Sequence, residues 1–184
     1  MDSILELDAR LSSQMRVAEK PGALRSIAAF FAHSGDSWFW AIGLFAMWIS
    51  GNSFWKEWAV VQLGSISVLA VAVLLIKFRI KRKRPEGEWG SIYRSSDPHS
   101  FPSGHAARAF LIATIAAGLG PSWLAIVLWI WAPLVALARV AMGVHYLSDI
   151  VAGAFFGIVI AWIGLQVYPP LFDWIFGYFG FTLW

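Results

Sequence analysis

Long runs without a charged residue alternate with short charged segments along this chain. Four uncharged runs hold 19, 19, 30 and 23 residues, and they are Ser37–Trp55, Trp58–Ile76, Ala109–Ala138 and Ile150–Phe172. A helix needs about 20 apolar residues to cross about 30 Å of hydrocarbon. Because a helix satisfies its own backbone hydrogen bonds in lipid, continuous apolar runs of this length predict membrane-spanning helices.

The turn sequence Gly120-Pro121-Ser122 divides the longest run, so the pattern predicts five transmembrane helices. We expect them near residues 37–54, 58–79, 105–119, 122–142 and 145–166. The third helix, with 15 residues, is short for a span, and we expect it to begin in a polar cavity rather than at the lipid surface. A sixth span is the alternative if residues 23–35 also cross the membrane.

The two ends of the chain differ from the apolar runs. Residues 4–16 alternate apolar and charged side chains at helical spacing, which predicts an amphipathic helix on the membrane or on the bundle. The aromatic tail that begins at Pro169-Pro170 is expected to pack at the membrane interface. The predicted fold is therefore an all-α, polytopic membrane helix bundle forming one domain over residues 1–184. Its parts are an N-terminal amphipathic segment (1–35), the helix bundle (37–166) and an interfacial tail (167–184).

Composition strengthens the membrane prediction. Of the 184 residues, 59% are hydrophobic and 14% are charged, whereas soluble domains have about 45–50% apolar and about 25% charged residues. The absence of Cys excludes thiol nucleophiles and Cys-based metal sites. We therefore expect a multi-pass protein of the cell membrane whose partner is the bilayer, with no nucleic-acid partner; the sequence leaves the oligomeric state open.

The few charges are concentrated in two places. Eight of the 14 basic residues fall between Lys77 and Arg108, and such a run alone would indicate contact with anionic lipid headgroups. The same region holds a Ser-Gly turn before His105, which is a natural anion cradle at a helix N-terminus. The second place is Arg139, His145 and Asp149, where the last two are four residues apart and share one helical face if the fifth helix has begun there.

Together these residue types predict phosphoryl transfer. Arg, Lys and backbone N–H groups stabilise the charge of a phosphoryl transition state. A histidine can attack phosphorus when a carboxylate holds its other ring nitrogen, and Asp149 is the obvious holder for His145. A second histidine, His105, can then protonate the leaving oxygen. Each residue also has a structural explanation on its own: Arg139 as a helix-end anchor, the His–Asp pair as a structural hydrogen bond and His105 as a helix cap. No carboxylate cluster accompanies the motifs, so we predict no metal and no cofactor.

Three segments resemble the signature of the type 2 phosphatidic acid phosphatase family, in the family's order. They are Lys77-x6-Arg84-Pro85, Pro102-Ser103-Gly104-His105 and Arg139-x5-His145-x3-Asp149. The resemblance covers most of residues 37–166. One departure is Ala138, which stands where the family usually has a Ser, so a hydroxyl hydrogen bond near the phosphate is lost.

The resemblance implies a role for each matching residue. His145 would be the nucleophile that forms a phosphohistidine, Asp149 would orient it, and His105 would be the general acid and then the base that activates water. The phosphate-binding residues would be Lys77, Arg84, Ser103, Gly104 and Arg139. Three other residues, Arg94, His99 and Arg108, are candidates for headgroup recognition, with solvated loop positions as the alternative for the first two. For Arg108, contact with a second phosphate and a purely local charge are equally open.

The resemblance implies metal-independent hydrolysis of a phosphomonoester or pyrophosphate on a membrane lipid, with polyprenyl pyrophosphate or a related lipid phosphate as the leading substrate. Phosphatidic acid, phosphatidylglycerophosphate and lipid A are alternative substrates. Two other functions are a vanadate-dependent haloperoxidase, which shares the phosphate pocket but is soluble, and a lipid-phosphate binding or transport protein without turnover. The excess of Lys and Arg on the face of the site favours the cytoplasmic side, whereas bacterial family members that act on envelope lipids commonly face outward, so the face of the site stays open.

Overall fold

The computed structural model of the protein describes residues 2–87, 89 and 97–179. Within these ranges the secondary structure is helical, and one isolated β-bridge joins Lys83 and His99. The helices, in chain order, are α1 (Asp2–Gln14), α2 (Ala23–Ser34), α3 (Ser37–Ser50), α4 (Ser53–Ile80), α5 (Gly104–Leu119), α6 (Ser122–Ala141) and α7 (Leu147–Phe179).

Helices α4, α6 and α7 are long and apolar enough to cross a membrane. Helices α3 and α5 are apolar but shorter, with 14 and 16 residues. Helix α2 has 12 residues, about 18 Å at 1.5 Å per residue, which is too short to cross the hydrocarbon core by itself. The all-α, multi-pass fold is therefore confirmed, and α3–α6 begin and end within five residues of their predicted limits.

The N-terminal helix is confirmed as well. Helix α1 exposes the apolar side chains of Ile4, Leu5, Leu7 and Leu11, and its other side contacts the start of α7. There the hydroxyl of Ser12 accepts a hydrogen bond from the backbone N–H of Leu147 at 2.9 Å. The amphipathic helix therefore lies against the bundle beside the segment that carries His145.

The predicted end of the last helix near residue 166 is wrong. Helix α7 continues through Pro169 and Pro170 to Phe179. Each proline removes one backbone donor from the helix, and the rule that proline ends a helix comes from water-soluble proteins. In membrane helices proline is tolerated more often, and the aromatic residues around these two continue the apolar surface of α7.

Helices α5 and α7 form the tightest contact in the bundle. A β-carbon at Gly157 would overlap the backbone oxygen of Ala107, so only glycine allows this approach. The sequence Gly153-x3-Gly157 has the small-residue spacing typical of close helix packing in membranes. This contact brings the first turns of α5 and α7, and therefore the second and third signature segments, side by side.

The chain leaves α4 through an unusual backbone conformation. Lys81 adopts a left-handed conformation with φ of 54° and ends the helix. The chain then runs extended past Lys83, whose pairing with His99 is reinforced by a hydrogen bond from Ser100 N to Arg82 O at 2.9 Å. The first signature segment is thereby turned back across the ends of α5 and α7.

Candidate active site

The three signature segments meet at one end of the bundle around a cavity of about 240 Å³. Its polar wall consists of Lys77, Asp97, His105, Arg108, Arg139 and His145. Its apolar wall follows one side of α4 and consists of Ile66, Leu69, Ala70, Val73 and Leu74. From Ile66 to Lys77 the helix rises about 16 Å at 1.5 Å per residue. The cavity thus joins a strongly basic end to an apolar wall that runs along α4.

His145 lies between a carboxylate and a guanidinium. Its Nδ1 is 3.4 Å from Oδ2 of Asp149, and both side chains are almost completely buried. Its Nε2 lies 3.2 Å from Nη1 of Arg84. Because a guanidinium can only donate, Nε2 must carry the lone pair and Nδ1 the proton. The ring is therefore held with an unprotonated Nε2 on the side of the phosphate-binding cations.

The electrostatic surroundings keep this imidazole neutral. Burial, followed by the positive charges of Arg84, Arg139 and Lys77, holds the pKa of His145 well below its usual range. Protonation would place a further cation in a buried cluster of cations. A nitrogen lone pair is consequently available at neutral pH.

Two donors hold the carboxylate of Asp149. Its Oδ2 accepts a hydrogen bond from the backbone N–H of Tyr146 at 2.9 Å, and its Oδ1 accepts one from Nη1 of Arg82 at 2.7 Å. Arg82 also lies over the ring of Tyr146, 4.1 Å from its centroid, and donates from Nη2 to Oδ2 of Asp8 at 2.7 Å. A chain of contacts therefore leads from Asp8 on α1 through Arg82 to Asp149 and His145.

Sequence reasoning missed Arg82 and Asp8 as parts of this site. Arg82 lies among the unspecified positions between Lys77 and Arg84, and nothing in the motif distinguishes it from its basic neighbours. The only signal for Asp8 was its position on the polar side of an amphipathic helix. Both residues act on the site through tertiary contacts, which no local spacing encodes.

Lys77 and Arg84 share one carboxylate. Nζ of Lys77 donates to Oδ2 of Asp97 and also to the backbone oxygen of His99 at 3.0 Å. Nη2 of Arg84 donates to the same Oδ2 at 2.8 Å. The side chains of Lys77 and Arg84 are buried, whereas that of Asp97 is 39% exposed. The two cations thus converge on a single oxygen atom, which is the arrangement that a phosphate oxygen requires.

The second signature segment opens α5. The backbone N–H of Ser103 donates to the backbone oxygen of Asp149 at 3.0 Å, and its hydroxyl caps the helix by accepting from Ala106 N at 3.5 Å. Gly104 and His105 follow in the first turn and line the cavity. The N-terminus of a helix attracts anions, and here it points into the basic end of the cavity, as predicted for a short helix that begins in a polar site.

Two further arginines line the cavity next to the turn between α2 and α3. Nη1 of Arg139 donates to the backbone oxygen of Ala32 at 3.5 Å. Nε of Arg108 donates to the backbone oxygen of Gly35 at 3.0 Å. Ala138, where the family has Ser, is buried with Ala28, Ala32 and Met142. The hydroxyl-bearing position is thus replaced by a methyl group that packs against α2.

The structure brings most of the predicted site residues together. Lys77, Gly104, His105, Arg108, Arg139 and His145 line the cavity, and Arg84, Ser103 and Asp149 contact them directly behind it. His99 does not line the cavity; its ring packs edge-to-face against Phe78, with centroids 5.7 Å apart. Arg94 falls outside the residues that the structure describes.

Comparison with known proteins decides the family. A model of the PAP2 superfamily matches residues 58–173, which is more than half of the chain. The chain belongs to the PAP2 superfamily. The predicted family is thereby confirmed, and with three helices long and apolar enough to cross a membrane the chain is a multi-pass integral membrane protein.

Two curated relatives carry phosphatase names. A probable lipid phosphate phosphatase beta of Arabidopsis thaliana is 32% identical over 125 residues, which cover 52% of this chain and 59% of the relative. The decaprenylphosphoryl-5-phosphoribose phosphatase of Mycobacterium tuberculosis (strain ATCC 25618 / H37Rv) is 30% identical over 154 residues, which cover 83% of this chain and 84% of the relative. The PAP2 chain thus spans just over half of the plant relative and most of the bacterial one.

Two crystal structures share the fold. The transmembrane PAP2 type phosphatidylglycerolphosphate phosphatase from Bacillus subtilis superposes with a TM-score of 0.69 at 21% identity, over 93% of this chain and 88% of the neighbour. Aquifex aeolicus LpxE superposes with a TM-score of 0.68 at 27% identity, over 88% of this chain and 94% of the neighbour. The helix bundle is therefore that of transmembrane PAP2 phosphatases.

Proposed function

We propose that this site removes the terminal phosphate of a membrane lipid in two steps through His145. The observation that carries the proposal is the position of His145, whose Nε2 lies 3.2 Å from Nη1 of Arg84 and whose Nδ1 lies 3.4 Å from Oδ2 of Asp149. In the first step, Nε2 attacks phosphorus and the bond to the lipid oxygen breaks. The electron pair stays on that oxygen, which takes a proton from His105, and phosphohistidine forms.

The second step returns the enzyme to its starting state. His105, now neutral, takes a proton from water while the water oxygen attacks the phosphohistidine. The P–N bond breaks, its electron pair returns to Nε2 of His145, and inorganic phosphate is released. Lys77, Arg84 and Arg139 stabilise the charge on the phosphoryl oxygens in both steps, together with Ser103 and the N–H of Gly104, and Asp149 steadies the imidazolium character of His145.

We propose a polyprenyl lipid with two phosphate groups as the substrate, of which the terminal one is removed. Arg108 lies in the cavity wall one helical turn beyond His105, the residue that protonates the leaving group in this mechanism. It can stabilise a second phosphate that departs with the lipid, whether in a pyrophosphate or behind a sugar. The relative from Mycobacterium tuberculosis supports this, because its name specifies a prenyl phosphate that carries a phosphorylated sugar. The apolar wall along α4 accommodates the first part of the chain.

A panel of lipids tests this proposal. Phosphate release is measured in EDTA from polyprenyl pyrophosphate, a polyprenylphosphoryl sugar phosphate, phosphatidic acid, phosphatidylglycerophosphate and lipid A, with His145→Ala as the inactive control. We expect wild type to release phosphate fastest from the first two lipids. In Arg108→Leu the ratio of release from these two lipids to release from the other three should fall about tenfold, because a charge-assisted contact is removed. Arg79→Leu, an exposed arginine on α4, is the matched control and should keep the wild-type ratio.

The outcomes separate mechanism from specificity. Full phosphate release by His145→Ala contradicts the phosphohistidine mechanism. An equal loss by Arg108→Leu on all lipids shows that Arg108 serves the reaction or the fold generally, and contradicts its contact with a second phosphate. If wild type prefers phosphatidic acid, phosphatidylglycerophosphate or lipid A, the proposed polyprenyl substrate is wrong and the preferred lipid takes its place.

A further inference from the structure

The turn between α2 and α3 places an acidic residue against His105. Oδ1 of Asp36 lies 2.7 Å from Nε2 of His105, although the two residues are 69 positions apart. The other carboxylate oxygen, Oδ2, lies 3.2 Å from Nδ1 of His33 at the end of α2. Asp36 precedes the residues 58–173 that match the family model, whereas His105 lies within them, so the contact joins the matched region to a segment outside it.

The backbone of this turn packs directly on the imidazole. The backbone oxygen of Gly35 accepts hydrogen bonds from Nε and Nη2 of Arg108. A β-carbon at Gly35 would lie 2.8 Å from Cγ1 of Val135 and 3.4 Å from Cδ2 of His105. The absence of a side chain at this position therefore allows the turn to touch the ring and to bring Asp36 to its Nε2.

The charge of Asp36 determines which group donates the hydrogen bond between Asp36 and His105. Burial raises the pKa of Asp36, but hydrogen bonds from His105 and His33 outweigh it and lower the pKa to about 2. The group is therefore a carboxylate at neutral pH and can only accept, so Nε2 of His105 carries a proton. Because the ring edge with Cδ2 and Nε2 faces the turn, Nδ1 lies on the opposite edge of the ring, and His105 as a whole lines the cavity.

We propose that Asp36 is a positioning residue that holds the ring of His105 so that Nδ1, not Nε2, exchanges the proton with the leaving oxygen. The inference rests on the proposed function of His105 as the general acid. In the first step the proton moves from Nδ1 to the lipid oxygen as the P–O bond breaks, and the Nε2 proton stays in its hydrogen bond to Asp36. In the second step Nδ1 takes a proton from water. Asp36 also offsets the positive charges of Arg108 and Arg139, which oppose a protonated ring.

Dependence on the leaving group distinguishes this role from a structural one. A lipid alkoxide needs a proton to leave, whereas 4-nitrophenolate leaves without one. We therefore compare kcat/KM, which reports the phosphorylation step, on the best lipid substrate and on 4-nitrophenyl phosphate. Asp36→Asn should lower kcat/KM on the lipid by about 100-fold, at the lower end of the 10²–10⁴ range of general acid catalysis, and on 4-nitrophenyl phosphate by less than about threefold.

Two controls make the comparison specific. Asp173→Asn makes the same chemical change at an exposed position of α7 and should change neither value. Asp36→Ser is a second neutral variant for the case that the amide disturbs the turn, and it should show the same selectivity. Thermal stability in detergent, measured for every variant, identifies any that fail to fold.

The outcomes separate the inference from the proposed function. His105→Ala should show the same selectivity as Asp36→Asn, with a larger loss on the lipid. If His105→Ala lowers kcat/KM equally on the lipid and on 4-nitrophenyl phosphate, the acid role proposed for His105 is wrong. If His105→Ala is selective but folded Asp36→Asn and Asp36→Ser lose activity equally on both substrates, or on neither, His105 is the acid and the role of Asp36 is overturned.

Discussion

The site contains two His–Asp pairs that are built in opposite ways. The nucleophile pair, His145 and Asp149, lies within four residues of one segment, and both side chains are almost completely buried. The acid pair, His105 and Asp36, joins two distant segments, and its side chains are 18% and 20% exposed. The first pair is held by local chain geometry, and the second exists only because the turn between α2 and α3 packs against α5.

The difference matches the different demands of the two steps. A nucleophile needs a dry, neutral nitrogen, and burial together with three neighbouring cations provides it by lowering the pKa of His145. An acid must give up a proton and regain one in every cycle, which requires access to water. The acid pair is partly exposed, which permits that exchange, and Asp36 places a negative charge beside the ring.

The largest effect on activity is expected from a change in the buried nucleophile pair. Asp149→Asn keeps the shape of the nucleophile pair but removes the acceptor that fixes the proton on Nδ1 of His145. We expect kcat/KM to fall by about 10³–10⁴-fold, as when the carboxylate of a catalytic triad is neutralised. Since the nucleophile serves every substrate, the loss should be the same for lipid and for 4-nitrophenyl phosphate. If Asp149→Asn lowers kcat/KM on the lipid but not on 4-nitrophenyl phosphate, Asp149 would serve the leaving group as Asp36 does, and the two pairs would not differ in role.

A smaller effect on activity is expected from Arg82, which contacts Asp149 on the side away from His145. Arg82→Met removes the hydrogen bond to Asp149 and the ion pair with Asp8, but leaves the direct contact between His145 and Asp149 intact. We expect kcat/KM to fall by about tenfold on all substrates, as for loss of an outer contact that orients a catalytic group. Lys83→Met, a neighbouring exposed lysine, is the matched control. Equal losses in both variants would show that only the general basicity of the segment matters.

The two pairs also differ in how far the sequence predicts them. The spacing of His145 and Asp149 is sufficient to expect the two residues close together, because they are only four positions apart. In the structure His145 lies two residues before α7, so the contact joins the end of a turn to the first turn of the helix and not two positions on one helical face. Asp36 shows no such relation to His105, and its contact depends on the packing of a turn that only the folded chain defines. The same holds for Arg82, which motif reasoning cannot separate from its basic neighbours. The fold also divides into features that local sequence predicts and features that it does not. The apolar runs located the helices of the bundle. The continuation of α7 through Pro169 and Pro170 depends on the membrane environment, which local rules for proline do not include.

The smallest expected effect is the absence of a change. The cations around His145 and its burial disfavour a protonated ring, so the pKa of this histidine lies below its ordinary value of 6.5 and the ring stays neutral as the pH falls through that value. In histidine-labelled protein, the ¹⁵N signals of His145, assigned by comparison with His145→Gln, should keep their neutral tautomer between pH 8 and pH 6.5. Titration of this ring above pH 6.5 would mean that the nucleophile is neither dry nor governed by its neighbouring cations. The two His–Asp pairs would then differ in chain geometry alone, and the exposure of the acid pair would no longer explain the division of work between the two histidines.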